Sequence, residues 1–226
     1  MPNLLHFTEI ATERDLRLAI VEAGRLCYAQ GVMPANNGNI SARMGEDRIV
    51  ITPSTLCKGR LELDDLLVID LDGNLLRADP RKNRRTSSET PMHLEAYRQR
   101  PDIRAVIHAH PAHATALTVA GIPFPEDVLP ELLEGLGPVP TTGFATPSTD
   151  ENAVAIRDHI VGHDAVLIRN HGALTVGRDL EEALINLERI EHVARVLVMA
   201  FGLGEINRLP PEMLQKLHDL RRKMKA

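Results

Sequence analysis

The chain has 226 residues, 43% of them hydrophobic and 25% charged, with a formal net charge of -5 at pH 7. This length and apolar content suffice for one well-buried core, so a single domain over residues 1–226 is expected. With no Trp, two Tyr and four Phe on an acidic chain, the basic stripe and stacking rings of a nucleic-acid surface are missing, and that partner is set aside.

The opening Met-Pro-Asn-Leu-Leu-His has no basic region ahead of an apolar one, and no apolar run approaches the roughly 18 residues that span a bilayer. No membrane partner and a cytoplasmic location are expected. Cys27 and Cys57, far apart in a chain able to fold without staples, read as ordinary thiols. The basic runs Arg81-Lys82-Asn83-Arg84-Arg85 and Arg221-Arg222-Lys223-Met224-Lys225 read as solvated surface, although the first could draw in an anionic substrate.

From Glu13 to Gly31, Leu16, Ala19, Ile20, Ala23, Leu26 and Cys27 recur at helical steps, with Thr12 as cap and Gly31 as stop. Asn39 to Arg43 and Arg48 to Thr52 read as strands about a Gly-Glu-Asp turn, and Leu66 to Asp70 with Leu75-Leu76 as a hairpin. A helix from Glu89 to Arg100 leads into the strand Ala105 to His110, and Pro111 opens another helix reaching Ala120. The proline-dotted stretch from Gly121 to Pro147 carries one short helix, Val128 to Leu136. Beyond it come a helix from Asp150 to Val161, strands Ala165 to Arg169 and Ala173 to Val176, a helix from an Asp179 cap to Phe201, and a terminal helix from Pro211 to Lys225. This order predicts one α/β domain with substantial antiparallel pairing.

His108-Ala109-His110 closes an apolar strand, and period-two geometry turns both imidazoles to one face, within reach of one ion. An isolated pair also fits two structural histidines. The strand Ala165 to Arg169 ends in Asn170-His171-Gly172, where His171 could supply a third nitrogen. Three histidines with an open fourth position suit a catalytic zinc site, whereas a structural site is closed, commonly by cysteines. His6, His93, His113, His159, His163, His192 and His218 read as core or surface residues.

Thr86-Ser87-Ser88-Glu89 fits a helix cap with an acidic first turn, and equally a phosphate seat at a helix N-terminus with Glu89 beside the substrate. Gly38-Asn39-Ile40-Ser41 and Thr52-Pro53-Ser54-Thr55 offer amide and hydroxyl groups for phosphate oxygens, or ordinary turn chemistry.

Asn37-Gly38-Asn39-Ile40-Ser41, Thr52-Pro53-Ser54, Ser87-Ser88-Glu89, Val106-Ile107-His108-Ala109-His110 with Ala114-Thr115-Ala116, and Asn170-His171-Gly172 resemble, in order and spacing, the class II aldolase/adducin family over about residues 14 to 200. The resemblance implies a three-layer α/β/α fold with a largely antiparallel central sheet. It implies zinc on His108, His110 and His171, although three imidazoles also accept manganese, cobalt or iron. Phosphate contacts would come from Asn39, Ser54, Ser87 and Ser88, with Thr55 where the family's phosphate loop has glycine and Lys58 nearby as compensating charge. Glu89 would be the acid/base in cleaving a small phosphorylated ketose, fuculose-1-phosphate-like, to dihydroxyacetone phosphate and an aldehyde through a metal-stabilised enediolate. A homotetramer with active sites between subunits is implied as well.

The chain departs from the fuculose branch in lacking its tyrosine between the two histidine motifs. Pro130-Glu131-Leu132-Leu133-Glu134-Gly135 looks instead like the segment carrying a catalytic glutamate in the family's methylthioribulose-phosphate dehydratases, which makes Glu131 a second acid/base candidate. The epimerase branch usually has aspartate in place of Glu89, and adducin-like binding modules have lost the metal site.

Overall fold

The computed structural model describes residues 12–146 and 149–225. Helix α1 (Glu13–Ala29) begins at a reciprocal cap in which the Thr12 hydroxyl accepts from the Asp15 amide and the Asp15 carboxylate from the Thr12 amide. Strands β1 (Asn39–Met44), β2 (Arg48–Ile51), β3 (Leu67–Asp70) and β4 (Leu75–Arg77) follow. Next come α2 (Thr90–Gln99), β5 (Ala105–Ala109), α3 (Ala112–Val119) and α4 (Pro130–Gly135). The chain ends with α5 (Glu151–Ile160), β6 (Ala165–Ile168), β7 (Gly172–Gly177), α6 (Leu180–Phe201) and α7 (Pro211–Lys225).

The strands form one seven-stranded sheet in the order β4-β3-β2-β1-β5-β7-β6, every neighbouring pair antiparallel. Strand alternation divides its side chains between two cores. Ile40, Ala42, Ile107 and Ala109 pack with α1, α3 and α6 residues such as Ile20, Leu117 and Leu187. Ile49, Ile51, Val106 and Leu174 pack with Met92, Tyr97, Ile156 and Ile160 from α2 and α5. This is the expected three-layer arrangement, with β5 near the middle of the sheet.

Most element limits differ from the sequence expectation by a residue or two. The short helix starts at Pro130 rather than Val128 because Leu129, preceding a proline, is extended (φ -133°, ψ 123°). Glu89 lies outside α2 as its non-helical cap residue (φ -96°, ψ 0°). Two 3-10 turns, Lys58–Arg60 and Leu63–Asp65, were not expected. Cys27 and Cys57 are both free thiols, as expected. No helix among the described residues is long and apolar enough to cross a membrane.

Candidate metal centre

The antiparallel register seats the site. Asn39 of β1 lies opposite His108 of β5, and His108 opposite Leu174 of β7. By alternation Asn39, Ser41, Val106 and His108 share the face covered by α2. His110 follows the end of β5, its amide donating to the Val32 carbonyl at 3.0 Å. A glycine is required at 38, where φ is +73° and an added Cβ would lie 2.7 Å from the His108 carbonyl oxygen. His171 comes from the β6–β7 turn, whose Asn170 adopts φ 58° and donates its amide to the Thr118 hydroxyl at 3.1 Å. Just beyond His110, the Glu191 carboxylate on α6 accepts from the His113 ring and from the amides of His113 and Ala114, fixing the start of α3. His113, expected to be an unpaired core or surface residue, is therefore a hydrogen-bond partner of Glu191.

The three imidazoles meet edge to face, with ring centroids 4.8 to 4.9 Å apart. The Nε2 atoms of His108 and His110 are 3.0 Å apart. Glu89 Oε1 lies 3.0 Å from His171 Nε2 and 3.5 Å from His108 Nε2. One ligand atom from each of Glu89, His108, His110 and His171 falls within 4.8 Å of all the others.

The donor set shows what fits between them. His108 Nδ1 lies 3.0 Å from the Ala173 carbonyl oxygen, which can only accept, so Nδ1 carries a proton and Nε2 is the atom left to give its lone pair to an ion in the cluster. That lone pair faces a carboxylate oxygen and a second imidazole nitrogen, a convergence of acceptors that a cation resolves. The geometry thus fits a divalent ion on His108, His110 and His171, with Glu89 beside or on it. Burial, then the charges at His108 and His171, pushes His110 down to about 3, which keeps its ring a neutral ligand at physiological pH. Burial alone would raise the Glu89 carboxyl. Without an ion a proton on His108 takes the cation's place, and its positive charge, with hydrogen bonds from His108, His171 and Asn39, outweighs burial and holds the carboxyl well below the usual carboxylate range.

Of the expected phosphate residues, Asn39 and Ser87 touch Glu89 of this cluster. Asn39 Nδ2 donates to Glu89 Oε2 at 2.9 Å and approaches Ser87 Oγ at 3.3 Å, and the same Ser87 oxygen accepts from the Glu89 amide at 3.2 Å. Asn39 therefore faces the carboxylate, a contact that its expected role toward phosphate did not suggest. The Ser54 amide donates to the Arg85 carbonyl at 2.9 Å, joining the loops that carry Ser54 and Ser87–Ser88. Ser88 and Thr55 are exposed, and the Thr55 hydroxyl donates to the Ser54 carbonyl. Lys58, almost wholly buried, donates from Nζ to the carbonyls of Asn36 and Leu56 and so braces the loops on either side.

Of the basic run, Arg81 pairs with Asp79, Lys82 with Glu62 and Asp65, and Arg84 with Asp65, leaving only Arg85 without an ion pair to a described residue. Glu131 is exposed on the first turn of α4 and lies outside the four-residue cluster. The sequence reading missed a buried polar row beside the cluster. The His93 ring bridges Asn39 and Ser41, and Ser41 meets Tyr97. The available signal was the i, i+4 spacing of His93 and Tyr97, which puts both on the inward face of α2.

Three imidazoles and a carboxylate at one end of an antiparallel sheet define a candidate divalent-metal centre on a three-layer α/β scaffold. The chain belongs to the class II aldolase family: the model of the Class II Aldolase and Adducin N-terminal domain matches residues 18–198. A methylthioribulose-1-phosphate dehydratase of Methylococcus capsulatus is 36% identical over 196 residues, covering 80% of this chain and 93% of that protein. A 3-oxo-tetronate 4-phosphate decarboxylase of Haemophilus influenzae is 29% identical, covering 81% of this chain and 87% of its own. A solved L-fuculose 1-phosphate aldolase superposes with a TM-score of 0.83 at 30% identity, covering 96% of this chain and 99% of its own.

Proposed function

We propose that this protein is a zinc-dependent lyase, working as a homotetramer, that cleaves a small phosphorylated ketose into dihydroxyacetone phosphate and an aldehyde. The observation that carries the reading is the Glu89 carboxylate, fixed by Asn39 and set among three imidazoles below the loops of Ser54, Ser87 and Ser88. Bound at His108, His110 and His171, the ion would supply positive charge for the negative charge developing on the substrate's oxygens. Ser54, Ser87, Ser88 and the Thr55 loop hold the phosphate and so orient the reacting carbons over Glu89.

Glu89, ionised at the start, takes the proton of the hydroxyl next to the bond that breaks. The carbon–carbon electron pair moves into the enediolate as the aldehyde leaves, and Glu89 returns the same proton to the enediolate carbon. One carboxylate then does what the missing tyrosine would share. The test is to incubate zinc-loaded protein with candidate ketose 1-phosphates and assay dihydroxyacetone phosphate. Release of that triose with an aldehyde supports cleavage, and water lost from an intact carbon chain refutes it. Glu89→Gln should keep its metal and lose about 10²- to 10⁴-fold in turnover, whereas an unchanged rate removes Glu89 from the mechanism.

A second reading, dehydration, is favoured by the 36%-identical relative named for that reaction and by Glu131. There Glu89 takes a proton from carbon and Glu131 protonates the departing hydroxyl.

A further inference from the structure

We propose that His93 is a positioning residue for Glu89, acting through Asn39 at the end of a one-way chain of hydrogen bonds that begins at Tyr97. The inference deepens the reading above, since it assumes Glu89 to be the proton carrier.

The chain has four links. Tyr97 OH lies 2.9 Å from Ser41 Oγ, Ser41 Oγ 2.7 Å from His93 Nδ1, and His93 Nε2 2.6 Å from Asn39 Oδ1. Asn39 Nδ2 lies 2.9 Å from Glu89 Oε2. Ser41, His93, Tyr97 and Asn39 are 0%, 0%, 1% and 3% exposed, so water does not compete for these bonds.

The direction of every link follows from its last member. An ionised carboxylate only accepts, so Asn39 must turn its amide nitrogen toward Glu89 and its oxygen toward His93. His93 Nε2 must then carry a proton, leaving Nδ1 to accept from the Ser41 hydroxyl. Ser41, having donated, accepts from Tyr97. The opposite histidine tautomer would flip the Asn39 amide and set its oxygen against the carboxylate. Complete burial keeps the ring neutral, pushing His93 down to about 3.

Among the described residues Asn39 Nδ2 thus donates to Glu89 and Ser87, so its amide orients the proton carrier and the loop beside it. Apolar residues would fill the space between β1 and α2 without the need to satisfy four polar side chains, and a buried row of this kind gains conformational definition in exchange.

Nitrogen NMR of histidine-labelled full-length protein tests this without substrate, with zinc and with chelator. His93 should be a single neutral tautomer protonated at Nε2 in both states. Protonation at Nδ1, or an imidazolium at pH 7, overturns the proposal. In turnover assays at equal metal content, His93→Phe should lower kcat about 10- to 100-fold with KM within about twofold, and His93→Gln should recover part of it. Tyr97→Phe, a milder change that keeps the ring in the core, should lower kcat less. A KM effect with unchanged kcat in all three variants overturns the proposal. If Glu89→Gln keeps full activity, the proton-carrier reading fails while the tautomer result still decides the chain's direction.

Discussion

Gly172→Ala offers a severe test of how the sheet holds the metal centre. A Cβ at 172 would lie 2.3 Å from the Ala109 carbonyl oxygen and 3.1 Å from the His110 ring. Carbon–oxygen contacts between strands normally lie at about 3.3–3.6 Å, so the overlap is about 1 Å and is made against backbone, which has no rotamer to yield. The β5–β7 ladder must open where Ala109 pairs with Ala173, and Ala173 also holds His108 Nδ1. Overpacking of this kind costs about 1–3 kcal/mol. Loosening a ligand's orienting bond lowers metal affinity about 10- to 100-fold.

Urea unfolding of native and variant chains, first with chelator and then across a zinc titration, separates the two effects. The variant should lose about 1–3 kcal/mol without metal and gain less from zinc, by about 1.4 kcal/mol for each tenfold loss of affinity. Gly143→Ala, whose Cβ would meet nothing within 4 Å, is the control. If Gly172→Ala unfolds with the control and binds zinc with native affinity, the coupling of ladder spacing to the metal centre is wrong.

Thr55 adopts φ 63°, a left-handed conformation costly for a β-branched residue, so Thr55→Gly should stabilise the fold by about 0.5–1 kcal/mol in thermal or urea unfolding. A loss of stability would show that the strain is not there. Burial pushes Lys58 down from 10.5 to about 8, so between those pH values the unfolded chain holds a proton the folded chain has released, and stability rises with pH. The gain across that window is on the order of 3 kcal/mol; Lys58→Met should remove the slope, and an identical pH dependence in the variant would refute its origin. Glu131→Gln should leave triose release unchanged and abolish dehydration, while a chain that cleaves sugar phosphates and loses that activity in the variant would place Glu131 in the cleavage site.

The sheet's faces were readable because they follow alternation alone. Val106 and His108 had to share one side and Ile107 the other, whatever the neighbouring strands. The pairing of β1 with β5 was not readable, since it joins Asn39 to His108 across a long stretch of chain and alternation names no partner. That gap explains why the contact of Asn39 with Glu89 was not foreseen. As an isolated turn residue it suits a phosphate, and only the register places its amide against Glu89. The histidine triad and Glu89 were legible because their residue types declare the chemistry. His93 and Tyr97 were not, because a polar pair on a helix's inward face has meaning only once the strand beneath presents Ser41 and Asn39.

Relatives named for dehydration, decarboxylation and aldol cleavage share this scaffold, so the reaction is decided by what must be protonated as the bond breaks. In the reading proposed above, the Glu89 carboxyl, held well below the usual range, begins each cycle without a proton. In aldol cleavage that is no obstacle, because the proton taken from the substrate hydroxyl is the one returned to carbon. In a concerted dehydration the proton taken from carbon and the proton given to the departing hydroxyl are needed together, one carboxylate cannot hold both roles at once, and a second acid that arrives protonated is required. Glu131, exposed on the first turn of α4, is outside the cluster formed by this chain. A site complete within the four clustered residues therefore favours cleavage over concerted dehydration, which becomes the better reading only if Glu131 is brought to the substrate.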